Sequence, residues 1–217
     1  MKKLSLTGLA LLLSLGVFAQ KTIIHAGRLI DVKSQKVLTE QTIVVEGDRI
    51  VSVTTGYQNP AKGDKVVDLK KSTVMPGLMD MHVHIENQTS PTRYVDGFRD
   101  NEADVAYKAL PYAQITLMSG FTTVRDMGGS GVNIALRNAI NNGLVVGPRI
   151  YTAGKSIAPT GGHADPTNGV KRELMGDPGP DQGVINGPYD ARKAVRQAVK
   201  YGSDVIKVTA TGGVLSV

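Results

Sequence analysis

Val74-Met75-Pro76-Gly77-Leu78-Met79-Asp80-Met81-His82-Val83-His84 is the stretch from which the rest of this chain is read. Pro76-Gly77 sets a sharp turn, and the residues after it alternate as in a strand. Successive strand side chains point to opposite faces, so Asp80, His82 and His84 share one face and Met81, Val83 and Ile85 the other. The two imidazoles then stand roughly 6–7 Å apart along the chain. Two imidazoles on one face of a half-buried strand suit a metal ion. Two core histidines satisfied by hydrogen bonds fit the same spacing. A strand apolar on one side and polar on the other fits a barrel stave, packed on helices and facing a central site.

Downstream, strands and helices alternate. A polar loop over 86–99 is long enough to cover a site. Helical spacing runs over 103–119, broken or kinked near Pro111 and stopped by Gly120. A strand over 122–126, a helix over 133–141, a strand over 148–153 and a Gly/Pro-rich loop over 154–188 follow. Asp190 is the expected cap of a helix running to Tyr201, with Gly202 after it. Residues 204–209 read as a fourth strand. This alternation predicts an α/β fold with a parallel sheet and right-handed crossovers. Four such strands make half a (β/α)8 barrel; an open doubly wound sheet is the alternative. Gly128-Gly129-Ser130-Gly131 lacks the spacing of a dinucleotide fingerprint and reads as a flexible loop.

Upstream, β-branched runs over 22–24, 28–31, 41–45, 49–53 and 66–69 predict a small antiparallel sheet. Glu46-Gly47-Asp48-Arg49 reads as its hairpin turn, and His25 within it reads as structural. The N-terminus has the form of a secretory leader. It shows Met1-Lys2-Lys3, an apolar run over 4–18 and a Val17-Phe18-Ala19 cleavage site, leaving Gln20 as the new terminus. The expected organisation is a signal peptide over 1–19, part of a β-sandwich over 20–72 and barrel units over 73–217. Export to periplasm or medium follows, with no membrane attachment after cleavage.

The 41% hydrophobic and 20% charged residues describe a globular chain. The formal charge is +6, but the chain has no tryptophan, three phenylalanines and no run of basic residues interleaved with aromatics, which argues against nucleic-acid binding. The absence of cysteine excludes disulfides, a thiol nucleophile and thiolate metal sites. Any metal site must use histidine, carboxylate or modified lysine. A full (β/α)8 barrel needs ~250 residues. This chain of 217 ends on the apolar run Val214-Leu215-Ser216-Val217 and reads as truncated.

Two further residues could carry chemistry. Strand parity turns Lys207 inward with Val205 and Thr209. A buried ammonium is costly. It is resolved either by a salt bridge to an inward carboxylate such as Asp80, the simpler reading of the residues alone, or by reaction with CO2 to a carbamate. His163, in the Gly-rich loop after the third strand, could bind a substrate carboxylate or carbonyl oxygen, or stand solvated. Arg125 and Asp126 point to opposite faces, and structural ion pairs elsewhere are the expected role.

Pro76-Gly77-Leu78-Met79-Asp80-Met81-His82-Val83-His84 resembles the first barrel strand of the amidohydrolase superfamily of metal-dependent hydrolases. Ile206-Lys207-Val208-Thr209-Ala210-Thr211-Gly212-Gly213 resembles strand four of one branch, that of imidazolonepropionase-like proteins and Xaa-Pro or Xaa-Arg/Lys dipeptidases. Gly120-Phe121-Thr122-Thr123-Val124-Arg125-Asp126 and Ala158-Pro159-Thr160-Gly161-Gly162-His163 are similar to other segments of it. The resemblance covers 21–217 and corresponds to the N-terminal half of such a protein. It implies a β-sandwich portion followed by a TIM-type barrel. It also implies two divalent metal ions, zinc by default, held in part by His82, His84 and a carboxylated Lys207. The implied reaction is hydrolysis of an amide or peptide-like C–N bond by metal-activated water, in a dipeptide or small cyclic amide. The family's further histidines on strands five and six, and its strand-eight aspartate base, have no counterpart in these residues, so no catalytic residue is assigned here. The alternative expectation is an inactive truncated product with a partial metal site, serving binding or assembly. Self-association of copies is compatible with either.

Overall fold

The computed structural model describes residues 20–214, so the expected leader lies outside the described residues. The chain divides between Pro76 and Gly77 into two compact units.

The first unit is a four-stranded sheet of β1 (Lys21–Asp31), β2 (Lys36–Glu46), β3 (Arg49–Thr55) and β4 (Lys65–Val74), in the order β3-β2-β1-β4. β1 pairs antiparallel with β2, and β2 with β3, across a tight turn in which Gly47 has φ +59°. The fourth strand departs from the antiparallel expectation: it pairs parallel with β1. The reason lies in residues 56–64, which carry the chain from the β3 edge to the opposite edge. Thr42 Oγ1 donates to the Gly56 carbonyl (2.7 Å) and accepts from the Gln58 N–H (3.0 Å). The buried His25 ring bonds the Gln58 carbonyl through Nε2 (2.9 Å) and packs on Tyr57. His25 thus fastens the crossover. The two short strands expected over 22–31 are one strand with a register shift at Gly27, where a Cβ would lie 2.0 Å from the Lys70 carbonyl oxygen. Ala26, Leu29 and Ile43 form this unit's core.

The second unit is built on a parallel sheet of β5 (Leu78–Val83), β6 (Phe121–Asp126) and β7 (Arg149–Thr152), in that order. Between β5 and β6 lie α1 (Arg93–Arg99) and α2 (Glu102–Met118); α3 (Val132–Asn141) joins β6 to β7. The short α4 (Arg172–Met175) and then α5 (Pro188–Tyr201) follow β7. Helices α2 and α3 bury one sheet face, where Ala109, Ala113 and Leu136 meet Ile85, Val124 and Ile150. Alanines one turn apart let α2 approach the strands closely. Pro111 is exposed and sits within α2 without ending it.

Two expected details differ. Pro188 opens α5 after Gly187, because proline at the first helical position lacks only an N–H that has no helical partner. Asp190 instead lies in the first turn and accepts from the Asn186 N–H (3.2 Å). Gly202, at φ +99°, ends the helix as expected. The segment expected as a fourth strand forms no continuous ladder. Beyond Thr152 the backbone turns at Gly154 (φ +63°), so the pairing is interrupted. Asp204 N–H reaches the Thr152 carbonyl (2.8 Å), and pairing resumes at one parallel bridge, Ile157 with Val208.

Candidate metal centre

His82 lies on β5 and His84 just beyond its end. Both rings are exposed and converge, with centroids 5.5 Å apart and planes tilted by 59°. The alternation that led to them is broken nearby. A register shift falls between Asp80, aligned with Val124, and Val83, aligned with Asp126, so the ladder is irregular over the stretch that carries His82. The cause is local: Asp80 Oδ1 accepts from the His82 N–H (2.9 Å), a bond that competes with the ladder.

The ring nitrogens of His84 are not equivalent. Nδ1 lies 2.7 Å from the Gly128 carbonyl oxygen. A carbonyl oxygen can only accept, so Nδ1 carries the proton and Nε2 is left with a free lone pair. That is the usual arrangement of a metal-ligating histidine. His82 titrates below the ordinary histidine range. Partial desolvation is the first cause, followed by the electrostatic influence of Lys207, His84 and Arg125, with Asp80 opposing. The lowered His82 pKa suits a neutral ligand, and His84 offers its Nε2 by geometry.

Lys207 is half-buried and its charge reaches His82, so these residues fall within one electrostatic neighbourhood. Its carbonyl accepts from the Ile157 N–H (2.8 Å), which fixes the segment beside the sheet. Among the described residues no carboxylate lies within salt-bridge distance of Lys207; Asp80, the expected partner, bonds the His82 backbone instead. His163 stands at the far end of the same segment: its N–H donates to the Thr211 carbonyl (3.0 Å) and its exposed ring lies against Gly213. Among the described residues no group of three or more histidines and carboxylates is gathered for a metal. The donor set here is two imidazoles and a lysine amine. It suits a borderline metal such as zinc once the lysine is made anionic.

Sequence reasoning missed the polar network behind His84. Asp126 and Asn133 are fully buried and Glu86 nearly so. Asp126 accepts from the Ile85 N–H (2.8 Å), the Gly128 N–H (3.2 Å) and Asn133 Nδ2 (2.7 Å). Glu86 accepts from the N–H groups of Ser130 and Asn133, both at 2.6 Å, at the start of α3. Among the described residues Asp126 forms no ion pair, contrary to expectation, and Arg125 donates through Nε to the Met81 carbonyl (2.8 Å). Burial, opposed by these hydrogen bonds, pushes the Asp126 carboxyl above its ordinary range, and the Glu86 charge adds to the rise. The loop expected to be flexible is tied at Met127, Gly128, Gly129 and Ser130. The available signal was Asp126-Met127-Gly128-Gly129, an acid at a strand end followed by glycines that admit close backbone approach.

A family model described as Amidohydrolase family matches residues 73–217. Ochratoxinase from Aspergillus niger is 30% identical over 215 residues, covering 91% of this chain and 44% of that protein. Among solved structures, a Xaa-Pro dipeptidase with methionine bound in its active site is 49% identical, with a TM-score of 0.84. That match covers 91% of this chain and 48% of the dipeptidase. A prolidase complexed with N-methylphosphonate-L-proline is 32% identical, with a TM-score of 0.77 over 91% of this chain and 48% of its own. The chain thus spans about half the length of the relatives it matches.

Proposed function

The chain belongs to the amidohydrolase family, and on that premise we propose that it carries the first metal ligands of a metal-dependent hydrolase cleaving an amide or peptide-like C–N bond. In this reading β5, β6, β7 and the 204–209 segment are the first arc of a (β/α)8 barrel, and β1 to β4 are part of a small β-sandwich. His82 and His84 hold a divalent ion, zinc by preference. The Lys207 amine would take up CO2 and release a proton, and the resulting carbamate, one negative charge shared over two oxygens, would be an anionic metal ligand. A metal held by these residues would supply an activated water near neutral pH and Lewis acidity toward the scissile carbonyl. The chain's own residues do the remaining work. The Gly128 carbonyl fixes the His84 tautomer, partial desolvation keeps His82 neutral, and His163 binds a substrate carboxylate or carbonyl oxygen.

The observation that carries this reading is the convergence of the two rings at 5.5 Å, with His84 Nδ1 already committed to a carbonyl. A dipeptide is the preferred substrate class, because the 49% identical structure is a Xaa-Pro dipeptidase and another similar structure is a prolidase. A small cyclic amide is the nearest variant. The leader-like N-terminus supports export as part of the proposal.

A second reading is that these 217 residues bind metal without turnover; it is favoured by the incomplete ligand cluster among the described residues. One assay tests both. The product of the complete reading frame and the 217-residue chain are given Xaa-Pro, Xaa-Arg and Xaa-Lys dipeptides, with zinc and after chelation. Zinc-dependent hydrolysis by the full-length product supports the first reading. Hydrolysis insensitive to chelation, or of no amide at all, contradicts it. Turnover by the 217-residue chain removes the second.

A further inference from the structure

His84 takes its orientation from a backbone carbonyl, and that carbonyl is itself held from several sides. Gly128, at φ +150°, donates its N–H to Asp126 Oδ1 (3.2 Å) and gives its carbonyl to His84 Nδ1 (2.7 Å). A Cβ at this position would lie 2.3 Å from Ser156 Oγ and 3.5 Å from His84 Cε1, so only glycine brings this peptide to the ring unhindered. Flanking groups lock the rest of the loop. The Met127 N–H donates to the Val83 carbonyl (3.0 Å), and the Met127 carbonyl accepts from Ser156 Oγ (3.0 Å). The Gly129 N–H donates to the Gly154 carbonyl (2.8 Å).

Behind the loop stands Asn133. Its Nδ2 reaches both Asp126 Oδ1 (2.7 Å) and the Gly154 carbonyl (3.2 Å), so it bridges the carboxylate that holds Gly128 and the carbonyl that holds Gly129. Its own N–H is held by Glu86 (2.6 Å), two residues beyond His84. The connections run from His84 through Gly128, Asp126 and Asn133 to Glu86, and so back to the chain that carries His84. Such a closed circuit, buried at Gly128, Asp126, Asn133 and Glu86 though not at His84, leaves the carbonyl few alternative positions.

We infer that Asp126 and Asn133 are positioning residues which, acting through the Gly128 carbonyl, hold His84 as the Nδ1–H tautomer with Nε2 free for metal. The inference rests on the reading of His84 as a ligand, but its tautomer can be read without metal. Neither residue touches the ion; both act on its affinity by fixing the lone pair that meets it. Loss of such outer support lowers metal affinity by about 10- to 100-fold.

The test begins with the unaltered, metal-free 217-residue chain. Its histidine tautomers are read from long-range 15N–1H correlation spectra, with His84 assigned by its loss in His84→Gln. His84 is expected as the Nδ1–H form, while His25, bonded through Nε2 to a carbonyl, supplies the opposite tautomer in the same spectrum. An Nε2–H form of His84 overturns the inference whatever the metal data show. Asn133→Ala and the shape-preserving Asp126→Asn are then compared by the same spectra and by zinc titration. A folded variant is expected to mix the tautomers and to weaken zinc binding at least 10-fold. Unchanged tautomer and affinity in both variants overturn it. If the chain binds no zinc yet shows the Nδ1–H form, lost in the variants, the positioning network stands and the reading of His82 and His84 as a metal-binding pair in this chain fails.

Discussion

Glu86→Gln is the substitution for which the structure yields the most definite energy. Glu86 is 3% exposed, and its two oxygens each accept one backbone N–H, from Asn133 and from Ser130. Glutamine keeps the shape but turns one acceptor into a donor, which must then face an N–H. A buried donor left without a partner costs about 1–3 kcal/mol. The lost negative charge at the start of α3 adds about 0.3–1 kcal/mol. Against this, removing the Glu86 charge relieves Asp126, whose carboxyl it pushes upward. The net expectation is a loss of about 2–3 kcal/mol. Urea unfolding followed by circular dichroism measures it: with a slope of about 2 kcal/mol/M the midpoint falls by about 1–1.5 M. A midpoint unchanged within about 0.2 M would refute the claim that Glu86 anchors the α3 start.

Other expectations concern the same unit. Acidification tests Asp126: its folded pKa lies above the unfolded value of 3.8, so the folded state binds the extra proton between the two. Stability therefore declines as pH rises through that window. Asp126→Asn, while losing hydrogen bonds, flattens that slope, and an unchanged slope contradicts the assignment. Lys207→Met removes a cation that depresses His82, so the His82 midpoint in a metal-free NMR titration moves up towards 6.5; no movement would mean that the two groups do not interact. In the full-length protein Lys207→Ala should lose metal and hydrolysis together, and retention of both would end the carbamate proposal. Gly128→Ala should destabilise the chain by about 1–3 kcal/mol through its φ and its Cβ. Ser156→Gly in the same chain should return part of that loss, because Ser156 Oγ is the atom nearest the added Cβ.

The sequence carried the local features well. The convergent His82 and His84 and the alternation of strands with helices follow from near-neighbour rules of parity and capping. What escaped depends on residues far apart in the chain. The parallel pairing of β4 with β1 is decided by where residues 56–64 lead, which period-two patterning does not encode. Glu86 bonds Asn133 across a separation of 47 residues, so in sequence it looks like the start of a polar loop although it is buried. The bulge after Asp80 is a closer case. An aspartate two residues before a strand N–H can bond that group, and here the side chain prevailed over the ladder. Lys207 was placed by strand parity, yet its segment makes only one isolated bridge, and among the described residues no carboxylate stands within salt-bridge distance of it.

The central claim is that His82 and His84 form a metal-binding pair, and calorimetric titration of zinc into the metal-free chain tests it most directly. The account predicts saturable binding, lost in His82→Ala and in His84→Ala while His25→Gln retains it. Binding that survives both of the first two substitutions, or no saturable binding by a folded chain, would contradict it.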